Sequence, residues 1–296
     1  MKNIMILSLM ILIIVGCKKS DSKNDATNFP NSGPYRIADY DRYFNDSLAE
    51  KVKFSYSGNN LTEILVNGVS NNLLVPKEKH TIEYSNGKVS CIKKYVIKDN
   101  QETLAFKYDI DSYEGVMPKE IYYTGYGIEP YSSTWSQTES RVYFNNLLFQ
   151  ITTRIVVPYS QDVSVEKYYY NVNNQLTEVI DSMPGPNLRR TELTYEGALL
   201  KSLHSIINGY EEENNIYGYS DTLVCSLQVS NNVQSYSAIY TYNSAGCLVQ
   251  SGTTFSQYFS STIKYHYENF VGNYHDILFI TANNDLWKHY PVPIWQ

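Results

Sequence analysis

Tyrosine returns along this chain at a nearly fixed interval, and it comes two residues after another large side chain. The pair occurs at Phe54/Tyr56, Ile82/Tyr84, Phe106/Tyr108, Tyr168/Tyr170, Leu193/Tyr195, Tyr217/Tyr219, Tyr240/Tyr242 and Tyr265/Tyr267. A ninth copy, at Tyr143, is imperfect because Arg141 holds its first position. Successive anchor tyrosines lie 28, 24, 35, 27, 25, 24, 23 and 25 residues apart. A fixed period means one supersecondary unit repeated, each copy completing its core against the next.

The unit reads as a β-hairpin. Residues two apart share one face of a strand, so the large residue and its tyrosine line the same side. A polar stretch follows each anchor, as in Tyr84-Ser85-Asn86-Gly87 or Tyr170-Asn171-Val172-Asn173-Asn174. Asn and Gly supply the positive-φ positions of tight hairpin turns. A second apolar pair then returns, spaced three apart at Leu61/Ile64, Leu148/Ile151 and Leu176/Val179. That spacing implies either two partly covered faces or a β-bulge. Turn residues return too often for packed helices, and Ile37–Lys51 is the one plausible helical stretch.

The N-terminus is of another kind. Lys2, the apolar stretch Ile4–Val15 and the small residue Gly16 have the layout of a secretory signal peptide. Twelve residues of helix reach about 18 Å, short of the roughly 30 Å hydrocarbon core, so the stretch does not span a bilayer. Residues 18–34, rich in Ser, Lys, Asp and Asn with two prolines, read as a flexible tether.

Three resemblances follow from these residues. Ile14-Val15-Gly16-Cys17 is similar to a bacterial lipoprotein signal. That likeness implies lipidation of Cys17 and anchoring to a membrane, where acyl chains contribute about 0.8 kcal/mol per buried methylene. Lys18-Lys19-Ser20-Asp21 resembles the charged signals that send Bacteroidetes lipoproteins to the cell surface. It implies an outer-membrane lipoprotein on the periplasmic or cell-surface face. Tyr240-x-Tyr242-Asn243-x-x-Gly246-x-Leu248 resembles the YD-type repeats of Rhs and teneurin shells, and more closely the shorter YD-like repeats of Bacteroidetes lipoproteins. The Asp after Tyr is mostly Asn, Ser or Glu here, and nine hairpins are too few to enclose a cargo. The likeness implies an all-β antiparallel meander of about nine tandem hairpins in a curved, spiral or partly closed sheet. The expected organisation is a signal at 1–16, a tether at 17–36, a lead-in cap at 37–51, repeats over 52–285 and a C-terminal cap at 286–296. Pro291 and Pro293 would keep that last edge from pairing.

Charge and chemistry narrow the function. Removing Lys2 with the signal leaves 23 basic against 30 acidic residues. No basic stripe is present, so nucleic acid is not the expected partner. Cys91, Cys225 and Cys247 could hold one disulfide with one thiol left over; set within apparent strands, they read as structural. His204-Ser205 and His275-Asp276 are neighbours that point to opposite faces of a strand, not dyads. Asp109-Ile110-Asp111 with Glu114 lacks the oxygen ligand a calcium loop needs at Tyr113, so no metal is expected. Glu211-Glu212-Glu213 reads as a solvated hairpin tip. No catalytic residue and no cofactor is expected.

The long interval after Tyr108 holds Tyr122, Tyr123, Tyr126, Tyr131 and Trp135. An aromatic insertion in a repeat array maps to one face and offers a candidate ligand platform; an elongated hairpin with packed rings is the plainer reading. The function expected is a lipid-anchored, non-enzymatic interaction or structural module of the cell envelope. A surface glycan-binding or glycan-processing component is the alternative, so a protein or glycan ligand is the expected partner.

Overall fold

The computed structural model describes residues 35–58, 60–115, 117–127, 134–158, 160–182, 187–220, 223–231, 235–243, 248–256 and 259–269. The expected signal, the tether as far as residue 34, Cys17, Tyr131, Cys247, His275 and the C-terminal cap lie outside them.

Every described element is a strand. They are β1 (Tyr35–Phe44), β2 (Ser47–Ser57), β3 (Asn60–Ser70), β4 (Leu73–Ser85), β5 (Lys88–Lys98), β6 (Gln101–Glu114), β7 (Met117–Tyr126), β8 (Thr134–Phe144) and β9 (Leu147–Val157). There follow β10 (Ser160–Tyr170), β11 (Leu176–Ser182), β12 (Leu188–Glu196), β13 (Leu199–Ile207), β14 (Tyr210–Ser220), β15 (Leu223–Asn231), β16 (Ser235–Tyr242), β17 (Leu248–Ser256) and β18 (Phe259–Asn269). Each strand pairs with its neighbour in sequence, which makes the expected meander.

The sheet closes, which corrects the curved, spiral or partly closed expectation. β1 pairs with β2 and also with β18, so the 18-stranded antiparallel sheet joins its first strand to its last. Pairing the first strand with the last satisfies the backbone groups that two free edges would leave bare. The lead-in cap at 37–51 is corrected with it, since those residues are β1 and the start of β2. Ile37 and Tyr40, spaced like a helical pair, face the same covered side because Ala38 is the extra residue of a bulge.

The same device settles the three-residue spacing. Tyr56 pairs with Leu61 while Ser55 pairs with Glu63, so Thr62 is extra and both Leu61 and Ile64 are buried on one face. Phe149 and Thr177 are the extra residues after Tyr143 and Tyr170. Thr62 and Thr177 each return a hydroxyl to a carbonyl across the ladder, at 3.2 Å. The asparagines form the turns: Asn71-Asn72, Asn145-Asn146 and Asn86-Gly87 take two consecutive positive φ values, as type I′ hairpins require.

The chain divides into two compact units. One holds the described residues up to Lys77, with Gly218–Ser226 and those from Ser237 on; the other holds Glu78–Tyr217 and Leu227–Tyr236. In the first, Val52, Phe54, Ile64, Val66, Tyr40 and Tyr265 are buried on one face. In the second, Ile82, Ile92, Phe106, Tyr108, Ile121 and Val179 are.

Candidate functional site

The tyrosine period has a specific bond beneath it. In the second unit Tyr143 donates its hydroxyl to the Pro118 carbonyl (2.7 Å), Tyr170 to Leu148 (2.8 Å) and Tyr195 to Leu176 (2.8 Å), and Tyr113 donates to Val89. In the first, Tyr242 donates to Val224 (2.8 Å), Tyr267 to Leu248 (2.6 Å) and Tyr56 to Ile37 (2.8 Å). Burial pushes the Tyr170 phenol up to about 12, so it remains a donor at neutral pH.

Tyr113, not Tyr108, is therefore the third anchor. Asp111 is the extra residue of a bulge between Ile110 and Ser112, which broke the pattern of large residue and tyrosine. With Tyr113 in place the interval to Tyr143 is 30 residues rather than 35, and the apparent insertion shrinks.

The four described platform aromatics do not come together. Tyr123 is 2 % exposed, its ring edge-on to Tyr108 at 5.0 Å and its hydroxyl donating to Glu139 Oε2 at 2.9 Å. Tyr122 and Tyr126, one position off in the alternation, stand on the opposite face at 43 % and 40 % exposure. Trp135 lies over Gly125, its cross-strand partner, with its ring 5.9 Å from Phe106. Of these four, only Tyr122 and Tyr126 share an open face.

What sequence reasoning missed is a band of buried polar side chains on β7–β14, all within the second unit. Arg141, Ile151, Glu166, Asp181 and Arg189 stand directly opposite one another on five successive strands. Glu139, fully buried, is held by the Arg141 guanidinium and by Tyr123. Tyr168 donates to Glu166 at 2.6 Å. Arg189 grips Glu212 with two bonds, 2.8 and 2.9 Å, so the acidic run at 211–213 is not simply a solvated tip. Thr191 meets Ser205 at 2.8 Å, and Asn215 donates to Glu213 at 2.7 Å. The available signal was Arg141 itself: it put a charge where the other large-x-Tyr pairs place a large uncharged side chain.

Burial sets the protonation of this band. It raises the Tyr123 and Tyr168 phenols well above their ordinary range, and the Glu139 and Glu166 carboxylates beside them add to the effect. Burial works against the Arg141 charge, but Glu139 together with Tyr123 and Tyr143 more than offsets it and the pKa rises. Asp181 is raised by burial although Arg189 faces it, and its Oδ1 accepts no hydrogen bond. A second cluster joins Glu78 to Lys94 (3.1 Å) and to buried His80 (3.8 Å). Burial opposes the Glu78 charge, yet His80 and Lys94 hold its pKa down to about 2.

These groups pair largely with one another. Among the described residues no three His, Cys, Asp or Glu side chains gather at metal-binding distance. Asp109 takes Lys107 at 2.7 Å, an ordinary strand-surface pair. Cys91 and Cys225 are free thiols, and burial, with Asp109 adding to it, pushes Cys91 up to about 12. His204 stands on the open side of β13 while Ser205 is buried on the other.

No protein-family model and no curated protein matches the chain. Among solved structures it is similar to a porin-like protein from Bacteroides uniformis, at 9 % identity, covering 78 % of this chain and 96 % of that one, with a TM-score of 0.42. It is also similar to a porin-like protein from Bacteroides vulgatus, at 11 % identity, covering 78 % and 98 %, with a TM-score of 0.31.

Proposed function

We propose that the chain is a lipid-tethered β-repeat protein of the cell envelope whose closed sheet stands in water and acts as a non-enzymatic interaction or structural module. One observation carries this reading: ion pairs run along the uncovered face of both units. In the first, Lys51 lies 3.4 Å from Asp41 and 3.6 Å from Asp39. In the second, Lys79 meets Glu102 at 2.8 Å, Lys107 meets Asp109 at 2.7 Å, Lys93 meets Glu83 and Arg190 meets Glu178. A barrel wall in lipid needs an apolar band, and each Lys or Arg at the bilayer midplane costs about 2–4 kcal/mol. Such a wall does not suit hydrocarbon, so acyl chains on Cys17 supply the attachment. The YD-like repeats then serve as a scaffold of tyrosine-linked hairpins.

Fractionation of cells making the Cys17→Ser chain tests this. The variant is expected in the soluble envelope fraction, and parent protein in the membrane. A variant that stays in the membrane through an alkaline carbonate wash would overturn the reading.

The glycan alternative is favoured by Tyr122 and Tyr126 alone, two exposed rings on one face of one strand. Loss of polysaccharide retention in a Tyr122→Ala/Tyr126→Ala variant would support it, and absence of retention by the parent would remove it.

A further inference from the structure

We infer that three neighbouring hairpin tips of the first unit form an apolar crest that docks onto a lipid surface. The tips are those of β17–β18, β1–β2 and β3–β4, consecutive in the sheet. They present Phe255, Phe259, Phe44, Leu48, Leu73, Leu74 and Val75, all exposed, with Leu73 reaching 67 %. Scattered exposed apolar residues are normal; seven on three adjacent tips are not.

The crest is built, not incidental. The Asn45 backbone N–H donates to the Ser260 carbonyl (3.1 Å), and the Ser260 N–H donates to Asn45 Oδ1 (2.9 Å). Phe44 stacks on Phe259 with ring centroids 5.4 Å apart, and Phe255 meets the same ring at 5.4 Å. The β1–β2 tip is thereby fixed to the β17–β18 tip before any ligand arrives.

The chemistry of the occupant follows from charge and form. Phe44–Leu48 and Ser70–Val75 carry one charged residue between them, Asp46, in a chain of net charge −6. The rest of that unit's open face mixes both signs, with Asp39, Asp41 and Glu63 beside Lys51, Lys53 and Lys264. Phe44, Phe255 and Phe259 pack against one another, and Leu and Val offer a sugar neither a stacking ring nor a hydrogen bond, which disfavours a glycan. Protruding tips need an acceptor that yields around them, as the headgroup boundary of a bilayer does. Behind the tips Lys264 Nζ sits 4.9 Å over the Tyr43 ring, an aromatic and a cation at the level where headgroups would lie. The stem also reaches. β1 is ten residues long, about 33 Å, between its start at Tyr35 and the crest at Phe44. The eighteen residues from Cys17 to Tyr35 extend up to about 60 Å. This last point rests on the acylated-stem reading; the crest itself does not.

The test uses the mature chain carrying Cys17→Ser, so that no acyl chain contributes, sedimented with phosphatidylethanolamine–phosphatidylglycerol vesicles. Binding is expected, weakened about ten-fold by Leu73→Ser and further by adding Phe259→Ser. Phe144→Ser, an exposed ring of the other unit, is expected to leave binding unchanged; unaltered thermal unfolding of each variant shows that the fold is intact. A parent that does not sediment, a Leu73→Ser variant that binds as the parent does, or a crest-dependent dimer in light scattering without vesicle binding would each overturn the proposal. Failure here leaves the Cys17 reading standing, since that is read from fractionation of the acylated protein.

Discussion

The Tyr195 hydroxyl donates to the carbonyl of Leu176, 2.8 Å away, and Leu176 is the residue paired with Tyr170, the preceding anchor. Leu148 stands in the same relation to Tyr143 and Tyr170, and Pro118 to Tyr113 and Tyr143. Each anchor thus ties its own hairpin to the carbonyl facing the previous anchor. The relation also crosses the closing seam, because Tyr56 donates to Ile37, whose partner is Tyr267.

Tyr195→Phe keeps the ring and removes this bond, leaving a half-buried carbonyl unmet. A loss of about 1–2 kcal/mol is expected by urea titration. Tyr169→Phe, on the open face, is expected to change stability by less than about 0.5 kcal/mol.

Arg141→Met removes the guanidinium that pairs with Glu139 and leaves the carboxylate buried. About 3–5 kcal/mol is expected to be lost, and Glu139→Gln added to Arg141→Met should restore most of it. Equilibrium unfolding of the two single variants and the double variant measures the coupling.

Two carboxylates give opposite pH dependences. Asp181 has a folded pKa above its ordinary 3.8, so its contribution is fully present at acid pH and is lost as pH rises through the folded value. Asp181→Asn should abolish that loss. Glu78 is held at about 2 against an ordinary 4.5, so its contribution is present above 4.5 and disappears as pH falls toward 2. Glu78→Gln should flatten this acid limb. Urea midpoints measured across pH separate the two.

Gly125→Ala places a methyl where the Trp135 ring lies. The ring must move, costing about 1–3 kcal/mol and altering tryptophan fluorescence. Trp135→Ala in the same chain should relieve part of the cost.

The hairpins were legible because their information is local. A period of two within each strand, Asn and Gly at the turns, and a tyrosine closing each cycle all act within a few residues. The same locality hid Tyr113, since the bulge at Asp111 shifts the register by one and the pattern of large residue and tyrosine passes over it. It also made Ile37–Lys51 look helical, because a bulge at Ala38 gives a strand the spacing of a helix.

The sequence by itself determined an all-β chain of tandem hairpins and the places where it turns. Only the tertiary structure decided that β1 meets β18, that Glu139 and Arg141 are buried together, and that Phe44 stacks on Phe259. The first and the last join groups distant along the chain, whereas Glu139 and Arg141, two apart on β8, are buried by what covers their face. Which side of a strand is covered, and by whom, depends on pairings that no local periodicity encodes.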